Sequence, residues 1–223
     1  MGQYFRFKNN LEKIMSNNFR KINHPIVQHK LATLRNKDTD AIGFRGIMNE
    51  LGAFLAYEYS RDIEVEEFEF ETPMQKTKGI RPKKFPIVVS IMRAGNGMVD
   101  GVLQTLPYSP VGHIGIYRDK FIDNTVEYYF KLPQDYKGRD ILLLDPMLAT
   151  GDTAIASIDR LKQYEVGKIT MLSVLASPHG VERMNHFHPD VDLICVSKEE
   201  GLNDKGYILP GMGDAGDRLY NTL

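Results

Sequence analysis

Ile141-Leu142-Leu143-Leu144-Asp145-Pro146-Met147-Leu148-Ala149-Thr150-Gly151-Asp152-Thr153 is the stretch on which the fold turns. An apolar strand ends in a carboxylate, and a turn of small and hydroxyl residues then opens a helix over 153–164 with Ile155, Ile158 and Leu161 inward. An α/β protein builds an anion site this way at the carboxyl edge of its sheet, because turn N–H groups and the positive end of the helix point at the ligand. Thr150 and Thr153 add hydroxyl donors, Gly151 lets the backbone approach closely, and Asp145 is placed to accept hydrogen bonds from sugar hydroxyls. By shape alone the same residues also describe an ordinary capped helix with Thr150 or Asp152 as N-cap, so both readings stand at this point. The segment is not a Walker loop, since no Gly-Lys-Ser/Thr follows, nor a dinucleotide fingerprint, since the glycines are missing.

Outward from this stretch the pattern repeats. Apolar runs over 85–92, 111–117, 141–144, 169–176 and 193–196 predict strands, and a second helix is expected over 180–187. Buried β-branched runs alternating with helices imply an α/β fold with a mainly parallel, doubly wound sheet. Towards the N-terminus, Val27, Leu31 and Leu34 recur at helical spacing, and Asp38-Thr39-Asp40 offers N-caps for a longer helix with Ile47, Met48, Leu51, Phe54 and Leu55 on one face. Residues 63–70 alternate as a strand should, but Glu66-Glu67 shifts the phase, which predicts a bulge or two short strands. The glycine-rich stretch 201–223 is expected as loop lying over the sheet. Residues 1–23 read as a polar arm carrying Leu11, Ile14 and Met15 at helical spacing, and 24–223 as a single domain without internal repeats.

Composition narrows the function. The chain has 223 residues, 42% hydrophobic and 26% charged, enough for one real core. With 28 Lys+Arg against 29 Asp+Glu the formal charge is -1, so no overall basic field draws the chain to nucleic acid or an acidic membrane, and any anion is held locally. The single cysteine, Cys195, lies in an apolar run and reads as a buried thiol. His186 and His188 have no further ligand cluster near them, so a structural role is expected of both. The polar start and the lack of a bilayer-length apolar run lead us to expect a cytoplasmic protein.

Asp145-Pro146-Met147-Leu148-Ala149-Thr150-Gly151 resembles the phosphoribosyl pyrophosphate loop of the type I phosphoribosyltransferases, in the form of that family's uracil branch. The match is specific to the branch, with one departure after Gly151. Most relatives outside that branch have two adjacent acidic residues where this chain has Leu144-Asp145, and within the branch glycine often follows Gly151 where this chain has Asp152. A carboxylate beside a phosphate is unfavourable unless its side chain turns away, although the helix N-terminus favours it electrostatically.

A second segment, Gly206-Tyr207-Ile208-Leu209-Pro210-Gly211-Met212-Gly213-Asp214-Ala215-Gly216-Asp217-Arg218, is similar to the branch's uracil-binding segment. Ser90-Ile91-Met92-Arg93-Ala94-Gly95-Asn96 looks like its pyrophosphate loop, and Arg118 matches a further contact. The resemblance implies a parallel sheet flanked by helices with a small hood, and transfer of the phosphoribosyl group to uracil with release of pyrophosphate. It implies Asp214, Arg93 and Asp145 as catalytic residues. Residues Pro146, Met147, Leu148, Ala149, Thr150, Gly151, Asp152 and Thr153 would join Arg93, Arg118, Asp145 and Asp214 around phosphoribosyl pyrophosphate. Ile208, Gly213, Asp214 and Ala215 would meet the base. It further implies Mg²⁺ bound through the substrate and water, GTP as an effector, and a homo-oligomer, dimer or tetramer. A different class of function, an RNA-binding pyrimidine-responsive regulator on the same fold, would need a basic surface; Lys76, Lys78, Arg81, Lys83 and Lys84 form a local one.

Overall fold

Leucine, isoleucine and valine runs buried on both faces form the centre of the molecule. The computed structural model describes residues 18–119 and 124–222, apart from the side chains at 118, 119 and 124. In chain order the elements are β1 (Phe19–Lys21), α1 (Pro25–Arg35), α2 (Ala41–Tyr59), β2 (Val65–Glu71), β3 (Lys76–Pro82), β4 (Ile87–Met92), α3 (Asn96–Thr105), β5 (Val111–Asp119) and β6 (Asn124–Lys131). They continue with β7 (Ile141–Leu144), β8 (Met147–Leu148), α4 (Asp152–Lys162), β9 (Ile169–Ala176), α5 (Pro178–Phe187), β10 (Asp192–Lys198), β11 (Gly201–Leu202), β12 (Ile208–Leu209) and α6 (Ala215–Tyr220).

The main sheet has the order β1-β10-β9-β7-β4-β5-β6, with β8 also on β9. Every pair in it is parallel except β5 with β6. Ser90 is in register with Leu144 and Leu144 with Leu172, so the central strands end side by side at one edge. Alternate residues serve opposite faces. Val88, Leu142, Leu144 and Leu172 meet Met48, Leu51 and Leu55 of α2 and Met98 of α3, while Val89, Leu143 and Met171 meet Ile158 and Leu161 of α4 and Met184 of α5. Helices therefore cover both faces, as the alternating pattern implies. Asp40 caps α2, its Oδ1 accepting from Gly43 N at 2.8 Å. Cys195 is fully buried in β10, and that burial pushes its thiol up to about 12. Among the described residues no helix is long and apolar enough to cross a membrane.

Three expectations are corrected. No bulge interrupts Glu66-Glu67, because the β2–β3 register runs unbroken from Val65↔Pro82 to Glu71↔Lys76. This hairpin stands off the main sheet, so no buried face enforces a phase, and Glu66 and Glu67 instead pair across it with Arg81 and Lys78. The stretch after Gly201 is not all loop, since it holds β11, β12 and α6. Within the expected arm, Phe19, Arg20 and Lys21 pair with Leu193, Ile194 and Cys195, extending the sheet by one strand. Leu11, Ile14 and Met15 lie outside the described residues.

Candidate active site

Each strand that ends at the common edge delivers one loop. After β7, Asp145 and Pro146 lead into β8, and Gly151, at φ +87, starts α4 in the left-handed region that glycine tolerates. The N-cap is thus Gly151 itself, not Thr150 or Asp152 as the capped-helix reading has it. Loop carbonyls are turned inward: Pro146 O accepts from Val174 N and Leu175 N at 3.1 and 2.9 Å, Leu148 O from Ser177 N at 2.9 Å, and Ala149 O from Ser177 Oγ at 2.6 Å. The opening N–H groups of α4 have no intrahelical acceptors and supply the positive end for an anion.

Asp152, the first residue of α4, is paired. Its carboxylate accepts from Thr150 Oγ1 at 2.9 Å and from Arg183 Nη1 of α5 at 2.6 Å. Arg183 was invisible as a site residue in the sequence, because nothing local marks a guanidinium thirty-odd positions away as the partner of this loop. Gly180 makes its approach possible, since a Cβ there would stand 2.6 Å from Ala149 O and 2.8 Å from Leu148 O.

Asp145 Oδ1 accepts from Met147 N at 3.1 Å. Burial pushes its carboxyl up from 3.8 to about 7, against the opposing pull of that N–H. A carboxyl raised in this way binds its proton more tightly in the folded chain than in the unfolded one. Its ionisation therefore lowers folded stability as pH rises from the ordinary range through about 7. Asp145→Asn, which carries no charge to ionise, is expected to gain about 2–4 kcal/mol on the wild type between pH 5 and pH 8. Urea unfolding of both proteins at each pH reads this difference, and a gap that stays constant contradicts it.

Arg93 follows β4 after a cis Met92–Arg93 peptide bond. Its Nη2 lies 3.2 Å from Asp217 Oδ1, its guanidinium carbon is 5.9 Å from the centre of the Tyr220 ring, and its carbonyl accepts from Tyr220 Oη at 3.2 Å. Asp214 caps α6, with Oδ1 accepting from Asp217 N at 3.0 Å. The loop before it has Gly211 and Gly213 at positive φ and a cis Leu209–Pro210 bond. Ile208 and Ala215 are buried, while Gly213 is exposed.

Three close approaches bring these loops together. A Cβ on Gly95 would stand 2.7 Å from Ile91 O and also collide with Leu144 O, which joins the Arg93 loop to the start of the Asp145 loop. A Cβ on Gly206 would meet Thr150 Cγ2 at 3.5 Å, which joins the turn before α4 to the glycine-rich segment. At Gly216 it would lie 3.3 Å from Asp214 Oδ1 and 3.6 Å from Arg93 Nη2, so those two charged groups flank one point. Arg118 is in β5, in register with Thr125, and its side chain lies outside the described residues.

The glycine-rich loop is held from behind by residues that composition alone did not single out. Arg35 of α1 forms a two-pronged pair with Glu199, at 2.7 and 2.6 Å, and donates to Gly211 O at 2.8 Å, while Gly211 N donates to Glu199 at 3.3 Å. Burial alone would raise the Glu199 carboxyl, but hydrogen bonds from Arg35 and Ser197 outweigh it and hold it below its ordinary value. Arg218 donates to the carbonyls of Leu34, Met212, Asn36 and Thr39 and lies 4.3 Å from the centre of the Phe44 ring. The helices α1 and α2 thereby fix the loop over the sheet edge. His188 is buried with Nε2 3.3 Å from Ile155 O, and His186 meets the edge of Phe187.

A family model described as uracil phosphoribosyltransferase matches residues 21–222. A uracil phosphoribosyltransferase of Legionella pneumophila is 48% identical over 208 residues, covering 92% of this chain and 97% of that protein. A solved Aquifex aeolicus protein superposes with a TM-score of 0.85 at 37% identity, covering 91% of this chain and 97% of that one. The adenine phosphoribosyltransferase of Trypanosoma brucei, solved with AMP, pyrophosphate and ribose-5-phosphate, shares the fold at a TM-score of 0.57 and 12% identity, with coverages of 86% and 88%.

Proposed function

This chain belongs to the uracil phosphoribosyltransferase family, and from that footing we infer that it transfers the phosphoribosyl group of phosphoribosyl pyrophosphate to uracil, giving UMP and pyrophosphate. The observation that supports these particular residues is the meeting of three loops at one sheet edge: the phosphate turn, Arg93, and Asp214 on the glycine-rich segment.

In the reaction the bond from ribose C1 to the pyrophosphate oxygen breaks while uracil N1 bonds to C1 and gives up its proton to the departing pyrophosphate or to solvent. The transition state carries oxocarbenium character, so the protein's contribution is positioning and charge placement. Residues 146–153 hold the ribose 5-phosphate at the start of α4. Asp145, as carboxylate, accepts from the ribose hydroxyls. Arg93 and Arg118 steady the departing pyrophosphate. Asp214 keeps its N-cap bond through Oδ1 and presents Oδ2, which has no hydrogen bond to the described residues, to the ribose-pyrophosphate side.

Uracil offers an acceptor, a donor and an acceptor along O2, N3–H and O4, which backbone groups of Ile208, Gly213 and Ala215 can answer with N–H, C=O and N–H. Cytosine would set a donor against a donor. Orotate would bring a carboxylate to a segment without Lys or Arg from 206 to 217, and Arg218 is spent on four carbonyls.

Magnesium, when bound, disperses the charge of the leaving pyrophosphate. The residues suit it: Asp145 and Asp214 offer hard carboxylate oxygens on converging loops, a donor set fitted to an ion carried by substrate phosphates and water. A homo-oligomer belongs to the same proposal. The β2–β3 hairpin stands alone with Met74 91%, Ile80 70% and Phe70 42% exposed, and an isolated hairpin is marginal in water, so a second copy is expected to cover it. The RNA-regulator reading is weakened by the same hairpin, where Lys78, Arg81 and Lys83 are paired with Glu67, Glu66 and Glu64.

The experiment is pyrophosphate release with phosphoribosyl pyrophosphate, Mg²⁺ and each of uracil, cytosine, orotate and hypoxanthine, with and without GTP, on protein whose mass is measured by light scattering. Release with uracil alone, raised by GTP, in a dimer or larger assembly is expected. Turnover of another base in preference to uracil overturns the base assignment, an unchanged rate removes GTP as effector, and a monomer removes the oligomer.

A further inference from the structure

The turn after β7 carries a carboxylate at the first residue of α4, the end of the helix whose unbonded N–H groups would meet a bound phosphate. Both oxygens are engaged: Oδ2 accepts from Thr150 Oγ1 at 2.9 Å and Oδ1 from Arg183 Nη1 at 2.6 Å. The same Arg183 nitrogen donates to Thr150 O at 2.8 Å. Arg183 therefore answers two groups that would repel an anion, a side-chain carboxylate and a main-chain carbonyl. Both side chains are mostly covered, at 32% exposed for Arg183 and 21% for Asp152, so solvent and salt screen the pair only partly.

Remove Arg183 and the carboxylate remains at the positive end of α4, which favours it there. Without the Arg183 charge it competes with phosphate for that positive end, and it places a negative charge within a few ångströms of a dianion. The Thr150 carbonyl loses its donor and is free to turn towards the site. We propose that Arg183 is a positioning residue of the phosphate loop, holding Asp152 and the Thr150 carbonyl aside so that phosphoribosyl pyrophosphate can bind a turn that contains a carboxylate. The inference rests on the reading of this turn as the phosphate site.

The test compares wild type, Arg183→Ala, Arg183→Lys, Asp152→Gly and the double variant Arg183→Ala with Asp152→Gly. Each is titrated calorimetrically with phosphoribosyl pyrophosphate and Mg²⁺, assayed for both KM values and kcat, and melted. Arg183→Ala is expected to weaken phosphoribosyl pyrophosphate binding about tenfold or more, with KM for uracil within about twofold of wild type. The double variant is expected to recover at least about fivefold of that loss, because the carboxylate that Arg183 restrains is gone. Arg183→Lys keeps the charge but on a shorter side chain, whose ammonium must reach the point from which one guanidinium nitrogen makes both contacts, and is expected to lose about threefold; it carries the test if the alanine variant does not fold.

A purely structural role would lower the melting temperature and shift both KM values together, with no recovery on removing Asp152. That result, or unchanged phosphoribosyl pyrophosphate affinity in Arg183→Ala and Arg183→Lys, overturns the proposal. Wild type that binds phosphoribosyl pyrophosphate without transferring it to uracil contradicts the reaction and leaves the Arg183 measurement valid, since binding is read directly.

Discussion

Asp214→Asn is expected to lower kcat about 10²–10³-fold, the scale of losing one group that stabilises charge in the transition state, while the protein melts within about 1 °C of wild type. The two halves of that expectation come from different oxygens. Asparagine keeps an Oδ1 acceptor for Asp217 N, and asparagine and aspartate are equally good N-caps, so α6 retains its start. What disappears is the negative charge beside Arg93, whose guanidinium flanks Gly216 together with Asp214. Steady-state kinetics and thermal melting on one preparation decide the matter. Near-normal kcat removes Asp214 from the mechanism, and a large drop in melting temperature reassigns it to structure.

Arg35→Ala is expected to cost about 3–5 kcal/mol at neutral pH, because it strands the Glu199 carboxylate, whose side chain is 2% exposed, inside the protein. Glu199 is held below its ordinary value in the folded chain, so its pair contributes stability above the ordinary carboxylate range and loses it as pH falls through the folded value. The gap between Arg35→Ala and wild type should accordingly narrow in acid. Function suffers as well, since Gly211 O loses its donor and the loop that carries Gly213 and Asp214 loosens. KM for uracil is expected to rise about tenfold or more on loss of that preorganisation. Urea unfolding at pH 7.5 and at about pH 3, below the ordinary carboxylate range, with uracil kinetics at pH 7.5 tests this, and a loss under about 1 kcal/mol at pH 7.5 with unchanged KM rejects it.

Strands β4, β7, β9 and β10 were legible as short continuous apolar runs because both their faces are buried, and helices α4 and α5 because each buries a face of helical period against the sheet. β1 was not, since Phe19–Lys21 becomes a strand only by pairing with β10, far along the chain. The hairpin misled for the converse reason: its alternation breaks at Glu66-Glu67, yet cross-strand ion pairs and an exposed surface leave nothing for the break to disrupt.

In the site, residues adjacent in sequence could be read as loops and assigned by resemblance to phosphate and base. The groups that hold those loops could not, because Arg35 reaches Glu199, Arg218 reaches Leu34, and Arg183 reaches Asp152 only once the fold brings them together. Asp152 illustrates the difference. In the sequence it is an unfavourable charge beside a phosphate; in the fold it is one half of an ion pair.

Whether this chain joins phosphoribosyl to uracil is decided by product identification, using chromatography and mass, after uracil, phosphoribosyl pyrophosphate and Mg²⁺ are incubated with the protein. UMP and pyrophosphate formed in equal amounts, each matching the uracil consumed, is the predicted result. Phosphoribosyl pyrophosphate broken down with no UMP formed, or left intact by folded protein, contradicts it.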